Sequence, residues 1–476
     1  MDQARLELVN NLYYSGDYGQ ALKEAEVGLL ASEKKLRRQV QFLNAKGTTL
    51  SRLGRTEEAL ESLKRALTLA RGAGAQGEVA AAQNNIGDAL RATGRFAEAR
   101  EAFMAALKMD RARADKTGIA FGQTNRGITE ALMGRDLEAR RTLEEALALA
   151  QSIDSGLNQL KALATLAAMD LRMKGVEGAK AALTRANEGR TLARKKGLRV
   201  WLWRFELLVA RAHQQEGKLG LARRAAERAR EIVAAAPPRP GLVKGAARVW
   251  APPGDVYDLL IDLAVARKDT RDVYKLMEEA PKRALKDRLA RSLAQLAQTP
   301  RGAALEGVAK IDAALEAALA AGLRGSSKEL RAEIERLKQA RAGSVALLTA
   351  QAPGLSPWVV NLQTPLKAVQ EVLRGSKATL LSFYATQKQV VVLRLDGEKV
   401  TLFHTPLTRV KLTKVIAGLR HDLTYYRPAL ARRARLYQWL LARPLQGVST
   451  DKRLLLVTHG ALAAVPYAAL TSQGKA

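Results

Sequence analysis

A glycine returns at a nearly fixed interval through the first half of this chain. Gly16, Gly54, Gly94, Gly134, Gly175 and Gly217 stand 38, 40, 40, 41 and 42 residues apart. The first four are each followed by Asp or Arg and, five residues after the glycine, by an alanine. A helix-turn-helix unit of this length cannot bury its own apolar face. It must stack on copies of itself, so the period confines the first half to a solenoid.

The third unit, "NNIGDALRATGRFAEAREAFMAALKM", shows what each position is for. Gly87 lies seven residues before Gly94, and Phe96, Ala99, Phe103, Ala106 and Leu107 follow at helical spacing. Gly87 would let the two helices of one repeat approach closely, and Gly94 would end the first helix in a left-handed conformation. Ala99 and Ala106 are small where the next repeat packs. The same register reads Gly47, Gly54, Ala59, Leu63, Ala66 and Leu67 in the second unit, and Gly127, Gly134, Ala139, Leu143, Ala146 and Leu147 in the fourth. The fifth unit fits only if one residue is deleted after Lys174, and the sixth recovers with Gly217, Ala222 and Ala229. These residues resemble the tetratricopeptide repeat (TPR), lengthened to about 40 residues from about 34.

At 476 residues the chain exceeds one ordinary core, and 47% hydrophobic residues argue against disorder. It has no cysteine, which removes disulfides, thiolate metal sites and cysteine nucleophiles. No run of about 18 apolar residues and no secretory leader is present, so the reading is a cytoplasmic protein with no membrane partner, of bacterial composition. The formal charge is +31, of which +14 falls on residues 341–476. Such a field attracts acidic partners, nucleic acid among them, but no aromatic-interleaved basic stripe marks a single-strand channel.

Five prolines and three glycines in "APPRPGLVKGAARVWAPPG" end the repeats near residue 233. Helical patterning resumes with "DVYDLLIDLAVARK" and continues near 303–321 and 326–342. After "APGLSPW" the period changes to alternation: "ATLLSFYATQ", "KQVVVLRL" and "KVTLFHTPL" read as strands, with Asp396-Gly397 as a two-residue hairpin turn between the last two. Helices follow around 408–421 and 428–442. Leu454–Val457 reads as a fully buried strand that leaves its sheet at His459-Gly460.

This order, with "LYQWLLARPL" and "KRLLLVTHGALAAVPYAAL" as its most specific pieces, resembles the CHAT domain, a caspase-like module associated with TPRs, over roughly residues 345–470. The resemblance implies a caspase-like α/β fold, and in members with intact sites a cysteine peptidase switched on by a partner of the TPR region. The family's catalytic histidine and Ser-Ala-Cys segment would lie after the last residue here. The expected fold class is therefore α + α/β: a TPR α-solenoid over 1–233, a Pro/Gly linker plus helical region over 234–344, and over 345–476 the N-terminal part of a CHAT-like domain lacking the His/Cys half.

No catalytic residue, metal or cofactor is expected. His459 sits at a strand end and reads as structural; His213, His404 and His421 have no ligand spacing. Gly72-Ala-Gly-Ala-Gln-Gly77 matches a dinucleotide fingerprint in letters, yet follows a helix rather than a strand and reads as an inter-repeat loop. Trp201 and Trp203 read as packing. The candidate surface is the concave face of the repeats. Gln83 and Asn85 stand four and two residues before Gly87, and Gln123 and Asn125 stand identically before Gly127. Amides at one register on successive helices form a ladder able to hold an extended peptide backbone. Asn44 and Arg126, one position off the register, would extend it. Alternatively, the amides cap or bridge helices. The function expected is a protein-interaction and regulatory module, catalytically silent, with a peptide or protein on the TPR groove and the remaining half of a CHAT domain as partners. The alternatives are a fragment of a caspase-like endopeptidase and a basic accessory of a nucleic-acid complex.

Overall fold

The computed structural model describes residues 2–235 apart from 16, 33–34, 174 and 199–200, then 254–280, isolated helical positions between 311 and 343, 366–425, 429–449, 451–467 and 470. Gly16, Lys174, the Pro/Gly stretch and Pro281 lie outside the described residues, as does most of 303–342. The chain forms two compact units, Met1–Pro252 with Leu285–Val360, and Pro253–Ala284 with Asn361–Ala476.

Among the described residues the first unit shows six helical hairpins: α1 (Asp2–Ser15) with α2 (Tyr18–Ala31), α3 (Leu36–Arg52) with α4 (Thr56–Gly72), α5 (Gln76–Ala92) with α6 (Phe96–Ala112), α7 (Lys116–Leu132) with α8 (Asp136–Ser152), α9 (Gly156–Asp170) with α10 (Val176–Lys195), and α11 (Leu202–Gln215) with α12 (Leu219–Ala235). Gly54, Gly94, Gly134, Gly175 and Gly217 close the turns inside the hairpins with φ between 76° and 99°, the left-handed region a side chain resists. Gly72–Gly77 falls on the turn between α4 and α5, as read from sequence.

Close approach within each hairpin has one recurring cause. A Cβ placed on Gly87 would lie 2.7 Å from the Phe103 ring, and one on Gly127 would lie 2.7 Å from Leu143. Each missing methyl is the seat of a large side chain sixteen residues on. Ala59, Ala66, Ala99, Ala106, Ala139 and Ala146 are fully buried, so the small residues do mark helix contacts.

Buried carboxylates add a second, polar repeat. Glu130 of α7 is fully buried and receives Arg100 of α6 at 3.2 Å, Arg126 at 2.9 Å and the Thr142 hydroxyl at 2.9 Å. Asp170 of α9, forty residues on, takes Arg140 of α8 at 2.9 Å together with Arg185 of α10. Glu206 of α11 is held by Arg190 and Arg228. Such pairs fix the register of successive hairpins, because removing one partner strands a buried charge.

In the second unit four strands form a sheet of order β3-β2-β1-β4. β1 (Ala378–Ala385) pairs antiparallel with β2 (Val390–Leu395), which pairs antiparallel with β3 (Val400–Thr405), while β4 (Arg453–Val457) runs parallel to β1. Two sequence expectations are corrected here. The β2–β3 turn centres on Gly397-Glu398 rather than Asp396-Gly397, because the Asp396 amide bonds back to the Lys399 carbonyl at 2.9 Å and the Asp396 carboxylate accepts from Thr379 at 2.7 Å. And β4 is not buried: among the described residues it stands at the edge of the sheet beside β1, with Leu454, Leu455 and Leu456 at 37–44% exposure. A continuous apolar run cannot by itself say whether another layer covers it.

The helix α13 (Gly254–Ala266) belongs to this sheet unit, whereas the sequence boundaries put it in the 234–344 region. Asp255, Asp258 and Asp262 lie at helical spacing on one face, which meets the β1–β2 turn. Gln387 donates to Asp255 at 3.2 Å, Tyr384 to Asp258 at 3.1 Å, and Thr386 and Gln389 to Asp262 at 2.9 and 2.8 Å. Arg409 reaches Asp258 at 2.7 Å. Burial pushes the Asp258 carboxyl up to about 7 while Arg409 pulls it back. A carboxyl raised above its unfolded value adds stability that is full below about 4 and lost as pH rises through about 7. Amide exchange in the β1–β2 turn should therefore slow as pH falls through this window, after correction for intrinsic rates. Asp258→Asn should flatten that dependence; an unchanged slope would exclude Asp258 as its source.

Candidate partner-binding groove

The first helices of successive hairpins, α1, α3, α5, α7, α9 and α11, pack side by side and carry the predicted ladder. The structure brings part of it together. The Asn85 amide on α5 donates to the Asn44 carbonyl oxygen on α3 at 3.4 Å, so Asn44 does join the row. Gln83 is half-buried and Gln123 buried. Asn125 is fully buried beneath Arg91, which reaches both its side-chain and backbone oxygens at 3.4 Å, and its Nδ2 has no acceptor. Asn125 therefore props up a cation rather than facing the groove. Arg126 is committed elsewhere, to Glu130 and Thr142 of α8.

A cluster of cations that sequence reading missed sits on the same helices. Arg91 of α5 pairs with Asp88 at 2.5 Å and stands 5.6 Å above the Phe103 ring. Arg52 of α3 donates from Nε to the Tyr13 hydroxyl of α1 at 2.7 Å. Lys161 of α9 lies 4.8 Å above the Phe121 ring of α7. Solvent reaches all three, Arg52 most. Yet they are walled by protein and feel one another. Burial drops the Lys161 ammonium to about 8; Asp88 opposes this, and the charges of Arg91 and Arg52 deepen it. Burial likewise presses on Arg91, with Asp88 opposing and Arg52 adding. Three cations thus gather about Asp88, and burial with their mutual repulsion outweighs its attraction at Lys161 and Arg91. Arg52, Arg91 and Lys161 share no repeat register, so no periodic signal flags them. Lys161 does stand one period of 40 after Phe121, the ring it covers.

Trp201 and Trp203 are 6% and 7% exposed, with Arg204 stacked over both rings. His459 precedes a short 3-10 turn, Gly460–Ala464, and burial lowers its pKa. Among the described residues no group of three or more His, Asp or Glu is placed to hold a metal ion, and no helix is long and apolar enough to cross a membrane.

A family model described as "Tetratricopeptide repeat" matches residues 39–112, which span α3 to α6. No curated protein matches the chain. Among solved structures, the apo form of RapI is similar at 14% identity over 60% of this chain and 98% of its own, with a TM-score of 0.45. A Rap protein complexed with competence and sporulation factor is similar at 14% identity over 60% of this chain and 75% of its own, also at 0.45. A STAND protein with a tetratricopeptide repeat sensor from Pyrococcus horikoshii is similar at 13% identity over 75% and 55%, with a TM-score of 0.40.

Proposed function

We propose that this chain, with tetratricopeptide repeats at its core, is a protein-interaction scaffold that takes an acidic, extended segment of a partner into the groove lined by α3, α5, α7 and α9. One observation carries the reading: Arg52, Arg91 and Lys161 gather about the single carboxylate of Asp88, and burial, deepened by the charges of Arg91 and Arg52, drops Lys161 to about 8. A carboxylate on the partner supplies the counter-charge this cluster lacks, through charge-assisted hydrogen bonds in a partly desolvated setting. Asn44 and Asn85 stand beside it and can hold the partner's backbone. The sheet unit, with "RLLLVTHGALAAVPYAAL" at its end, is read as part of a CHAT-like regulatory domain. Without cysteine it has no thiolate with which to cleave, so the role is recognition.

Fluorescence anisotropy of the full chain with Asp/Glu-rich peptides and their Asn/Gln counterparts tests this. Acidic peptides should bind and their amide counterparts should not; equal binding of both would defeat the reading. An Asn85→Ala, Asn125→Ala double variant frees Arg91 from its prop and breaks the contact with Asn44. It should bind the acidic peptide roughly five- to tenfold more weakly, about one hydrogen bond's worth of free energy.

A further inference from the structure

The sheet unit contains a cavity of about 470 Å³ that plays no part in the groove. Its apolar wall is Val265 from the end of α13 with Leu402 and Phe403 of β3, and its rim carries Lys268, His404 and Arg443. These three exposed side chains have no acceptor among the described residues. Lys268 is moreover held at φ 56°, a left-handed conformation that a lysine adopts at some cost and that fixes the turn between α13 and the next helix at the mouth of the cavity.

The acid that could neutralise this rim is already engaged. Asp262 lines the cavity, but its Oδ1 accepts from both Thr386 at 2.9 Å and Gln389 at 2.8 Å. It is also largely shielded from solvent, and burial raises its pKa while the Gln389 and Thr386 hydrogen bonds lower it. Asp262 is thus held by the β1–β2 turn rather than paired with the rim, and Lys268, His404 and Arg443 have no ion-pair partner among the described residues. A cavity that joins an apolar wall to a few convergent polar groups is the ordinary form of a small-molecule site. Its volume is sufficient for one ring or short chain with a charged head.

The geometry points to a ligand site for a small organic anion, a phosphate or carboxylate group carried on an apolar or aromatic body. The head lies between Lys268 and Arg443, where Arg443 can present two parallel N–H donors and Lys268 a point charge. The body lies against Phe403 and Leu402, and His404 donates to the head when protonated. The groove cations on α3, α5 and α9 belong to the other unit and take no part.

The readout must be local, because the groove also attracts anions. His404 is one of four histidines in the chain, so its imidazole resonances can be assigned with a His404→Gln variant. The full-length protein is titrated with phenyl phosphate, benzoate and phenol. A saturable shift of His404 with phenyl phosphate or benzoate, absent with phenol, supports the site and tells a phosphate head from a carboxylate. His421, exposed on the helix Arg409–Thr424, reports non-specific effects. In a Lys268→Ala, Arg443→Ala variant the apparent affinity should fall about tenfold or more, as loss of a charge-assisted pair requires. No saturable His404 shift with either anion, an equal shift with phenol, or an undiminished affinity in the variant would overturn the proposal.

Discussion

A chain carrying Arg91→Ala and Lys161→Met will lose its affinity for an acidic peptide by about 100-fold or more, since truncating one partner of a desolvated charge pair costs about 2–5 kcal/mol. Both side chains lie in the protein-walled groove, and Arg91 keeps only 15% of its side-chain surface exposed. The residual binding should depend less steeply on salt, because two of the three charges of the cluster are gone. Affinity in the unaltered protein should also weaken as pH rises past about 8. An anion favours the protonated lysine, and above that value the proton must be taken up on binding. Stability should move the other way. An ammonium whose pKa falls from its usual value on folding opposes folding while it is charged, and that penalty fades as pH rises through the window from about 8 to about 10.5. Lys161→Met alone should therefore hold or raise the melting temperature while binding falls. Unaltered affinity in the double variant, or a Lys161→Met chain that unfolds more readily, would remove the groove cluster from the account.

The second large effect is on folding. Phe103 is fully buried, seated against the bare Cα of Gly87 and beneath the guanidinium of Arg91. Phe103→Ala removes a ring that neighbouring helices cannot follow inward, and should cost about 3–5 kcal/mol in denaturant unfolding of the repeats. Leu63 and Leu143 hold the equivalent seats in the adjacent hairpins, so the damage should centre on α5 and α6 and spread to their neighbours. Hydrogen exchange would see α5 and α6 lose protection before α11 and α12. A loss below about 1 kcal/mol would mean that the ring is not packed as described. Because Arg91 stands over the ring, this variant should weaken acidic-peptide binding too, whereas Arg91→Ala should leave the protection of α6 nearly intact.

Much of the architecture was legible in the residues. Gly54, Gly94 and Gly134 announced their turns because a left-handed backbone is a local demand that few residues meet. Ala99, Ala106 and Gly87 announced close packing because the same demand recurs in every repeat. The change to alternation after residue 377 announced β1 to β3 through the two-residue period of a strand. The ladder was half legible: Asn44 and Asn85 do meet, while Asn125 supports Arg91 and Arg126 serves Glu130. A repeat register gives the helix and roughly the face, but not which of two neighbouring side chains turns inward. Arg100 with Glu130 and Arg140 with Asp170, each pair separated by thirty residues and repeated at forty, were a signal that could have been found.

The amino-acid order by itself determined the repeat, its turns, its small-residue contacts and the switch from helix to strand, because each depends on a handful of consecutive residues and their φ preferences. Tertiary structure alone decided where charge gathers and what remains uncovered. Arg52, Arg91 and Lys161 come from three different repeats at three different registers, and Asp258 meets Tyr384 across 126 residues. Leu454–Leu456 stay exposed because β4 has β1 as its strand neighbour. Such meetings depend on how helices curve and which layer covers which, and the electrostatic and burial energies they create exist only once distant segments share the same low-dielectric space.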